Sequence, residues 1–255
     1  MPIYLRPGSG TGTGTLADPY YWNQRTTAET AAGNGGTLIL LPGIYGWGNG
    51  SSTPNQGNLQ LTYRGLYRHG TSMYHSGHDV FKTGTTARMD FKWVEIRIGN
   101  PTYNYRNFGT NIYFDQCTIY SNSTDRSADH GAGYTYFKEI KNSLILNNRT
   151  SSTNMFKSGV HIVNSTYICE NIDADISNSS VKMTNVLLYS KVASHESPNR
   201  ISTSSSNVWA YNFTNMVTGS PAQCIGHSDP FLADPSNDRY RPKTGSPLWE
   251  AGVIV

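Results

Sequence analysis

A short phrase centred on a carboxamide or indole side chain recurs along the sequence, and this repeat restricts the possible folds most strongly. Examples are "YFDQCTIYSN" from residue 113, "EIKNSLILNN" from residue 139 and "KMTNVLLYSK" from residue 182. When the copies are aligned on the central residue, they are separated by 23, 26, 22, 21 and 22 residues. A period of this length indicates a repeat architecture in which each repeat is one structural unit. The central residues are Trp93, Gln116, Asn142, Asn164, Asn185 and Asn207.

Each copy predicts two short strands that meet at a polar corner, because apolar residues alternate on both sides of the central residue. Two positions before it stand Phe91, Phe114, Ile140, Ile162, Met183 and Ser205. Three positions after it stand Ile96, Ile119, Ile145, Tyr167, Leu188 and Ala210. No copy contains a helical period, the leucine framework of a leucine-rich repeat or the length of a propeller blade. The pattern therefore predicts an all-β fold, a parallel β-solenoid with coils of about 22 residues.

In such a solenoid the recurring amide has a physical role. Equivalent residues of stacked coils form a column with a spacing of about 4.8 Å. An Asn or Gln at an inward corner can donate to one neighbour and accept from the other, and Asn tolerates the left-handed backbone of a tight corner. We predict an amide ladder; the alternative is that Asn simply marks turns in a turn-rich chain. The ladder residues are Gln116, Asn142, Asn164, Asn185 and Asn207.

Composition narrows the range of functions. The 255 residues carry a net charge of +3 without a basic cluster, which argues against nucleic-acid binding. No apolar stretch is long enough for membrane insertion. The odd number of cysteines, without a CxxC spacing, predicts free thiols, with neither a disulfide framework nor a metal site. The N-terminus lacks the pattern of a secretory signal peptide. The cysteines are Cys117, Cys169 and Cys224.

Both ends of the chain add a resemblance to a known superfamily. The segment "SDPFLADPSNDRYRPKTGSPLWEAG", residues 228–252, resembles the closing segment of right-handed parallel β-helix proteins of the pectate-lyase-like superfamily. The stretches "IYLRPGSGTGTGTLADPYYW" and "GGTLILLPGIY" are similar to its first strand, glycine-rich loop and first coil. The resemblance implies a single-stranded right-handed β-helix but no particular activity, since the superfamily contains lyases, hydrolases and virion proteins. We divide the one domain into an N-terminal segment (residues 1–36), the coils (residues 37–227) and a closing segment (residues 228–255).

One short helix is predicted near the N-terminus, where it would cap the stack. In "TTAETAAGNGG", Thr26 is the expected N-cap, Glu29 completes a capping box and Gly33 ends the helix. The preceding glycine-rich segment 8–14 lacks the features of a phosphate-binding loop and is expected to be a flexible entry loop.

Candidate chemistry lies in the outward column just before the corners. Lys92, Asp115 and Lys141 are predicted to stack on neighbouring coils, and Glu139 lies nearby. These four are the candidate catalytic residues: they could bind a uronate or act as acid and base, or they could be ordinary cross-strand charge pairs. For glycoside hydrolysis, Asp115 with Glu139 or with Asp90 would supply the two carboxylates. Glu95 and Arg97 are expected close to the same patch.

Other clusters are weaker candidates. The 26-residue step contains an enlarged loop, and enlarged loops often carry binding functions, so its polar residues are predicted ligand contacts. Two possible metal sites, a histidine cluster and an aspartate pair, are interpreted instead as a surface loop and a solvated corner, and no metal or cofactor is predicted. The loop residues are Asp125, Arg126, Asp129 and His130; the histidine cluster is His69, His75, His78 and Asp79; the aspartates are Asp173 and Asp175.

Two functions are compatible with these features. A secreted enzyme of this fold would need an export signal, whereas a virion protein that is assembled in the host cytoplasm and released by lysis needs none. The resemblance together with the missing signal therefore predicts a bacteriophage virion surface protein, a tailspike, fibre or head appendage. It would be a homotrimer that contacts other virion proteins and binds a host-surface glycan, without necessarily being an enzyme. The alternative is a polysaccharide lyase or glycoside hydrolase that acts on an acidic surface polysaccharide.

Overall fold

The computed structural model describes residues 1–47, 59–75, 88–98, 111–121, 137–148, 159–170, 181–192, 204–212, 224–226, 232–234, 239–244 and 246. The first strands are β1 Ile3–Arg6, β2 Tyr20–Tyr21, β3 Gly36–Leu40, β4 Gly43–Trp47, β5 Gln60–Gly65 and β6 Thr71–His75. The middle strands are β7 Arg88–Lys92, β8 Glu95–Ile98, β9 Ile112–Asp115, β10 Thr118–Ser121, β11 Phe137–Lys141 and β12 Leu144–Asn147. The last strands are β13 His161–Cys169, β14 Lys182–Ser190, β15 Ser206–Tyr211, β16 Cys224–Gly226, β17 Leu232–Asp234 and β18 Arg239–Pro242.

Strands β1 to β16 form two parallel ladders. The first sheet has the order β1-β3-β5-β7-β9-β11-β13, and the second has the order β4-β6-β8-β10-β12-β13. β13 is a long strand that belongs to both sheets, because it pairs with β11 in the first and with β12 in the second. β14, β15 and β16 continue the stack after it. Every pairing in this assembly is parallel, while β17 and β18 form a separate antiparallel pair. The predicted all-β solenoid is therefore confirmed, and its topology is consistent with a right-handed parallel β-helix.

The core is built from the predicted apolar columns. The register aligns Tyr63 with Phe91 and Phe91 with Phe114, and the rings stack with centroids 5.3 and 5.4 Å apart. Phe137 closes the stack edge-on, 4.8 Å from Phe114. All four rings are buried, and offset or edge-on contacts of this kind stabilise a core beyond simple area burial. The columns thus hold the coils in register from inside.

A short helical segment covers the N-terminal end of the stack. A 3-10 turn at Trp22–Gln24 leads into α1, Arg25–Ala32, and Gly33 ends the helix at φ 67°. The prediction that Thr26 caps the helix was wrong, because Gln24 occupies the N-cap and α1 therefore begins two residues earlier than predicted, at Arg25. Within the described residues, α1 is the sole α-helix.

Glu29 is not part of a capping box but of a buried polar group. Its carboxylate lies 3.1 Å from the guanidinium of Arg25 and accepts a hydrogen bond of 2.7 Å from the hydroxyl of Tyr63. Burial, followed by the charge of Glu29, raises the pKa of Tyr63 well above its ordinary value. The helix is therefore joined to the first coils by a charged contact inside the protein.

The glycine-rich segment 8–14 is held in place rather than left as a flexible loop. The amide of Gly10 donates to Asn23 and that of Gly12 to Gln24, at 3.0 and 2.8 Å. A side chain at Gly12 would place its Cβ 2.1 Å from the carbonyl oxygen of Pro19. The glycines thus permit close packing of this segment on the chain that leads into the helix.

The central residues of the repeat all lie at corners with left-handed backbone. Their φ values are 58° at Trp93, 55° at Gln116, 51° at Asn142, 46° at Asn164, 53° at Asn185 and 52° at Asn207. The amides of Asn164, Asn185 and Asn207 each donate to the carboxamide oxygen of the preceding Asn, at 3.5, 3.0 and 2.9 Å. The expectation that the corner residues face inward was wrong, because every one of these side chains is partly or largely exposed.

The N-terminal end of the amide column differs from the predicted ladder. Asn142 donates to the carboxylate of Asp115 at 2.9 Å instead of to Gln116. The carboxamide oxygen of Gln116 accepts from the indole of Trp93 at 3.1 Å and from Arg68. A different column lies inside the corner, where the hydroxyls of Ser143 and Ser165 accept from the backbone amides of the preceding coil, both at 3.1 Å.

All three cysteines can be placed in the fold. Cys117 is a free thiol, Cys117 and Cys169 are both buried in the core, and the backbone of Cys224 begins β16. Burial raises the pKa of the Cys117 thiol to about 12. The division of the domain at residues 36 and 227 stays a prediction.

Candidate functional site

The outward face of the first sheet carries a strip of charged residues. Strand alternation turns every second side chain of β5, β7, β9 and β11 away from the core. The register places Asp115 opposite Lys92 on one side and opposite Lys141 on the other. In the same way Tyr113 lies between Asp90 and Glu139. The four candidate catalytic residues of the sequence are thus brought together on neighbouring strands.

These residues line a groove of about 340 Å³, which we call the first-sheet groove. It is lined by Thr62, Arg88, Asp90, Phe91, Lys92, Tyr113, Phe114, Asp115, Glu139 and Lys141.

Each carboxylate in the first-sheet groove contacts a cation. Asp115 lies 3.4 Å from the ammonium of Lys92, and Glu139 lies 3.8 Å from that of Lys141. Arg88 forms two hydrogen bonds to Asp90, at 2.8 and 2.7 Å. Between 23% and 45% of these side chains is exposed, so the pairs are open to exchange with charged groups from solvent.

Arg88 and Tyr113 were not identified from the sequence. The guanidinium carbon of Arg88 lies 3.9 Å from the ring centroid of Tyr113, a close cation–π contact. The hydrogen bond to Asp90 is the main cause of the raised pKa of Arg88. No local pattern signals this contact, because Arg88 and Tyr113 lie on adjacent coils and meet only through the register of β7 and β9.

A β-bulge in β11 shapes one side of the groove. Phe137 pairs with Ile112 and Glu139 with the next residue, Tyr113, so Lys138 is an extra residue on this strand. Both Lys138 and Glu139 are turned away from the core, whereas the residues on either side of them, Phe137 and Ile140, are buried. Bulges commonly redirect side chains beside functional sites. The sequence contained a partial signal, since two successive polar residues interrupt the alternation in "FKEIK".

Glu95 and Arg97 do not join this groove, and the expectation that they lie close to it was wrong. The corner at Trp93 carries the chain into the second sheet, where Glu95 pairs with Arg97 and accepts from the hydroxyl of Ser72 at 3.3 Å. These three residues line a second cavity, of about 470 Å³, on the outward face of β4, β6 and β8. Its other lining residues are Gly43, Ile44, His69, Gly70, Thr71 and Tyr74.

His161 extends the outward strip on β13, opposite Glu139. Its ring nitrogen lies 3.1 Å from the hydroxyl of Thr184. Burial, and then the charge of Lys182, lower the pKa of His161 below its ordinary value. A neutral imidazole at this position can accept a proton or a hydrogen bond.

Several predicted residues lie outside the described portion of the chain. These are the loop residues Asp125, Arg126, Asp129 and His130, the aspartates Asp173 and Asp175, and His78 with Asp79. His69 lies at a corner with φ 61°, and the backbone of His75 ends β6.

Among the described residues, no three His, Cys, Asp or Glu side chains are arranged to hold a metal ion. A membrane-spanning helix is likewise not found in the portion of the chain that the structure covers.

Comparisons with known proteins do not show a family for this chain. No protein-family model matches the sequence, and no curated protein matches it either. A solved structure, a mutant of the PL6 family alginate lyase AlyGC, aligns with 84% of this chain at 13% sequence identity and a TM-score of 0.42. The alignment covers 31% of that protein, so the chain spans about a third of its length.

Proposed function

We propose that the protein binds an acidic polysaccharide along the first-sheet groove. The observation that carries the proposal is the charge of this face. Strands β5, β7, β9 and β11 present five cations and three carboxylates, an excess of two positive charges. The cations are Arg64, Arg88, Lys92, Lys138 and Lys141; the carboxylates are Asp90, Asp115 and Glu139.

The periodicity of the stack suits a polymeric ligand. Successive coils are about 4.8 Å apart, which is close to the length of one sugar unit in an extended glycan. A glycan that lies across the strands, along the stack, would therefore present a similar group to each coil. Partly exposed ion pairs such as Lys92 with Asp115 can exchange a protein carboxylate for one on the ligand at little cost.

Catalysis on the same glycan is the second candidate, and the pairing of charges favours a lyase over a hydrolase. Glycoside hydrolysis requires one carboxyl group held protonated, usually by apolar or like-charged surroundings. The groove carboxylates contact cations instead. β-Elimination from a uronate needs cations that neutralise its carboxylate, a base that removes the proton next to that carboxylate, and an acid that protonates the glycosidic oxygen as its bond to the uronate breaks and the C=C bond forms. Lys92 and Lys141 could supply the charge, His161 could act as the base, and Tyr113 could protonate the leaving oxygen.

Calorimetric titration with polygalacturonate oligomers, alongside neutral glucan oligomers, tests the binding proposal. We expect binding of the acidic oligomers alone, with an affinity that falls as salt is raised. Lys141→Ala and Arg88→Ala should each weaken binding about tenfold, because each removes a charged contact. Lys191→Ala is the matched control, since Lys191 pairs with Glu170 at the end of the second sheet. Equal binding of neutral and acidic oligomers would contradict the proposal.

The ultraviolet absorbance of the unsaturated product distinguishes a lyase from a binding protein in the same samples. A steady rise in absorbance that disappears in Tyr113→Phe or His161→Ala would establish elimination. Constant absorbance and an unchanged oligomer length would leave binding as the function of the groove.

The biological setting is also a proposal. As predicted from the sequence, the protein would be a homotrimeric virion surface protein of the tailspike, fibre or head-appendage type that binds a host-surface glycan. Light scattering of the purified protein tests for the trimer. Immunogold labelling of phage particles tests for virion location, and unlabelled particles would contradict it.

A further inference from the structure

Three cations surround one indole ring at the corner between β7 and β8. The guanidinium carbons of Arg64 and Arg68 lie 5.4 and 5.9 Å from the ring centroid of Trp93, and the ammonium of Lys92 lies 5.7 Å from it. We call these four residues the corner cluster. Each contact is within the range of a cation–π interaction, but a single ring does not offset the charge of three cations.

The corner cluster is held in position by its neighbours. The indole of Trp93 donates to the carboxamide oxygen of Gln116 at 3.1 Å, and Arg68 donates to the same oxygen. On the preceding coil, a side chain at Gly65 would place its Cβ 2.4 Å from the carbonyl oxygen of Trp93, so this coil passes close above the corner. The coil that contains β5 thus brings both Arg64 and Arg68 to the ring of Trp93 on the next coil.

The positive charge of the corner cluster is not neutralised within the described residues. Among the described residues, Lys92 is the one member of the cluster with a carboxylate partner, Asp115, which also accepts a hydrogen bond from the amide of Asn142. The Nε of Arg64 is buried and has no hydrogen-bond partner in the part of the chain that the structure describes. All three charges lie within 5.9 Å of the centroid of one ring, so they are close enough to repel one another. Salt screens this repulsion only in part, because the Debye length is about 10 Å at 0.1 M salt. An anion bound between them would remove that repulsion.

We propose that the corner cluster is an oxyanion-binding site that receives a carboxylate or sulfate group of the polysaccharide. This inference rests on the proposed function, because Lys92 belongs to both the first-sheet groove and the corner cluster. Guanidinium groups match the oxygens of carboxylate and sulfate through paired N–H donors. A glycan in the groove would therefore be recognised by the charged substituent that it places at this corner.

The indole N–H signal of Trp93 in a nuclear magnetic resonance spectrum is a direct reporter, and Trp93→Phe assigns it. The probes are galacturonate hexamer, its carboxyl-reduced form, a sulfated neutral hexamer and inorganic sulfate. We expect the anionic probes to shift the signal and the carboxyl-reduced hexamer to leave it unchanged. The relative affinities for galacturonate and sulfated hexamers identify which substituent the site prefers.

Variants test the guanidinium groups. Arg64→Gln with Arg68→Gln should weaken hexamer binding by at least about tenfold. Arg64→Lys with Arg68→Lys retains the charge without the paired donors, and should recover only part of the affinity. Arg97→Gln on the second sheet is the matched control and should bind as the unaltered protein does.

The outcomes separate this inference from the proposed function. If the hexamer binds but the glutamine double variant binds equally well, the corner cluster is not the oxyanion site and the inference is overturned. If inorganic sulfate shifts the Trp93 signal while no hexamer binds, the oxyanion site is supported and the polysaccharide proposal fails. If no anionic probe moves the signal, the inference is overturned whatever the groove binds.

Discussion

At the residue scale, each Asn in the middle of the corner column both adopts the left-handed backbone and hydrogen-bonds to the neighbouring coils. Asn185 adopts φ 53°, donates to Asn164 at 3.0 Å and accepts from Asn207 at 2.9 Å. Left-handed backbone costs most residues about 1–2 kcal/mol, but less for Asn, whose short polar side chain bonds locally. The amide therefore links coils at a position where few other residues would be tolerated.

We expect Asn185→Ala to lower the free energy of unfolding by about 2–3 kcal/mol, since it loses two hydrogen bonds and strains the backbone. Asn185→Gly is the matched control, because glycine tolerates the positive φ and loses only the hydrogen bonds. Denaturant titration followed by circular dichroism measures both. A glycine variant as destabilised as the alanine variant would show that the backbone conformation contributes little.

The buried thiol of Cys117 makes stability sensitive to alkaline pH. Its pKa rises from an ordinary value of 9.0 to about 12 in the folded protein. Above pH 9 the unfolded chain therefore loses a proton that the folded protein retains, and unfolding becomes easier as pH rises. Below pH 9 the thiol is protonated in both states and has no such effect.

We expect the unaltered protein to lose about 1.4 kcal/mol of stability per pH unit above pH 9 relative to Cys117→Ala. Urea titrations of both proteins at pH 8, 9.5 and 10.5 provide the comparison. Buried tyrosines are common to both proteins, so their effects cancel in the difference. Parallel pH profiles would mean that the thiol ionises equally in the folded and unfolded states.

At the element scale, α1 is attached to the solenoid by apolar packing and by the hydrogen bond from Tyr63 to Glu29, whose carboxylate is paired with Arg25 within the same helix. The side chains of Arg25 and Glu29 are only 8% and 7% exposed, and Glu29 reaches Tyr63 on β5. Removal of one partner of a buried pair leaves the other charge without compensation, which costs about 3–5 kcal/mol. The helix position thus depends on a few polar atoms.

Glu29→Gln should therefore destabilise the protein by about 3 kcal/mol, because the Arg25 charge remains buried. Tyr63→Phe removes only the hydroxyl and should cost about 1.5–3 kcal/mol. Thermal unfolding of each single variant and of the double variant tests the coupling. Strictly additive losses would indicate that Tyr63 and Glu29 act independently.

At the scale of the whole molecule, stacked coils bury a continuous core but leave an edge at each end. At the N-terminus, β1 covers the edge of β3 by pairing Ile3 with Leu38 and Leu5 with Leu40. Open edges of parallel strands are templates for association with other chains. We therefore expect the N-terminal segment to protect the stack from aggregation.

Deletion of residues 1–35 should expose this edge, so we expect soluble aggregates in size-exclusion chromatography and increased binding of a hydrophobic dye. Deletion of residues 1–2 is the control, because it leaves β1 and α1 intact. A monodisperse protein after the longer deletion would show that the N-terminal segment does not protect the stack.

Local patterns in the sequence were sufficient to determine the coils, the alternation of their strands and the left-handed corners, because these depend on residues close in the chain. The helix boundary was not determined in this way, because a 3-10 turn at Trp22–Gln24 runs directly into the helix and Gln24 stands at the N-cap without a side-chain capping hydrogen bond. The contact of Arg64 and Arg68 with Trp93 was decided only by the tertiary structure. So were the contact of Arg88 with Tyr113 and the separation of Glu95 from the first-sheet groove. Side chains on different coils meet according to the register and the corner geometry, and neither is encoded in the spacing of any one phrase.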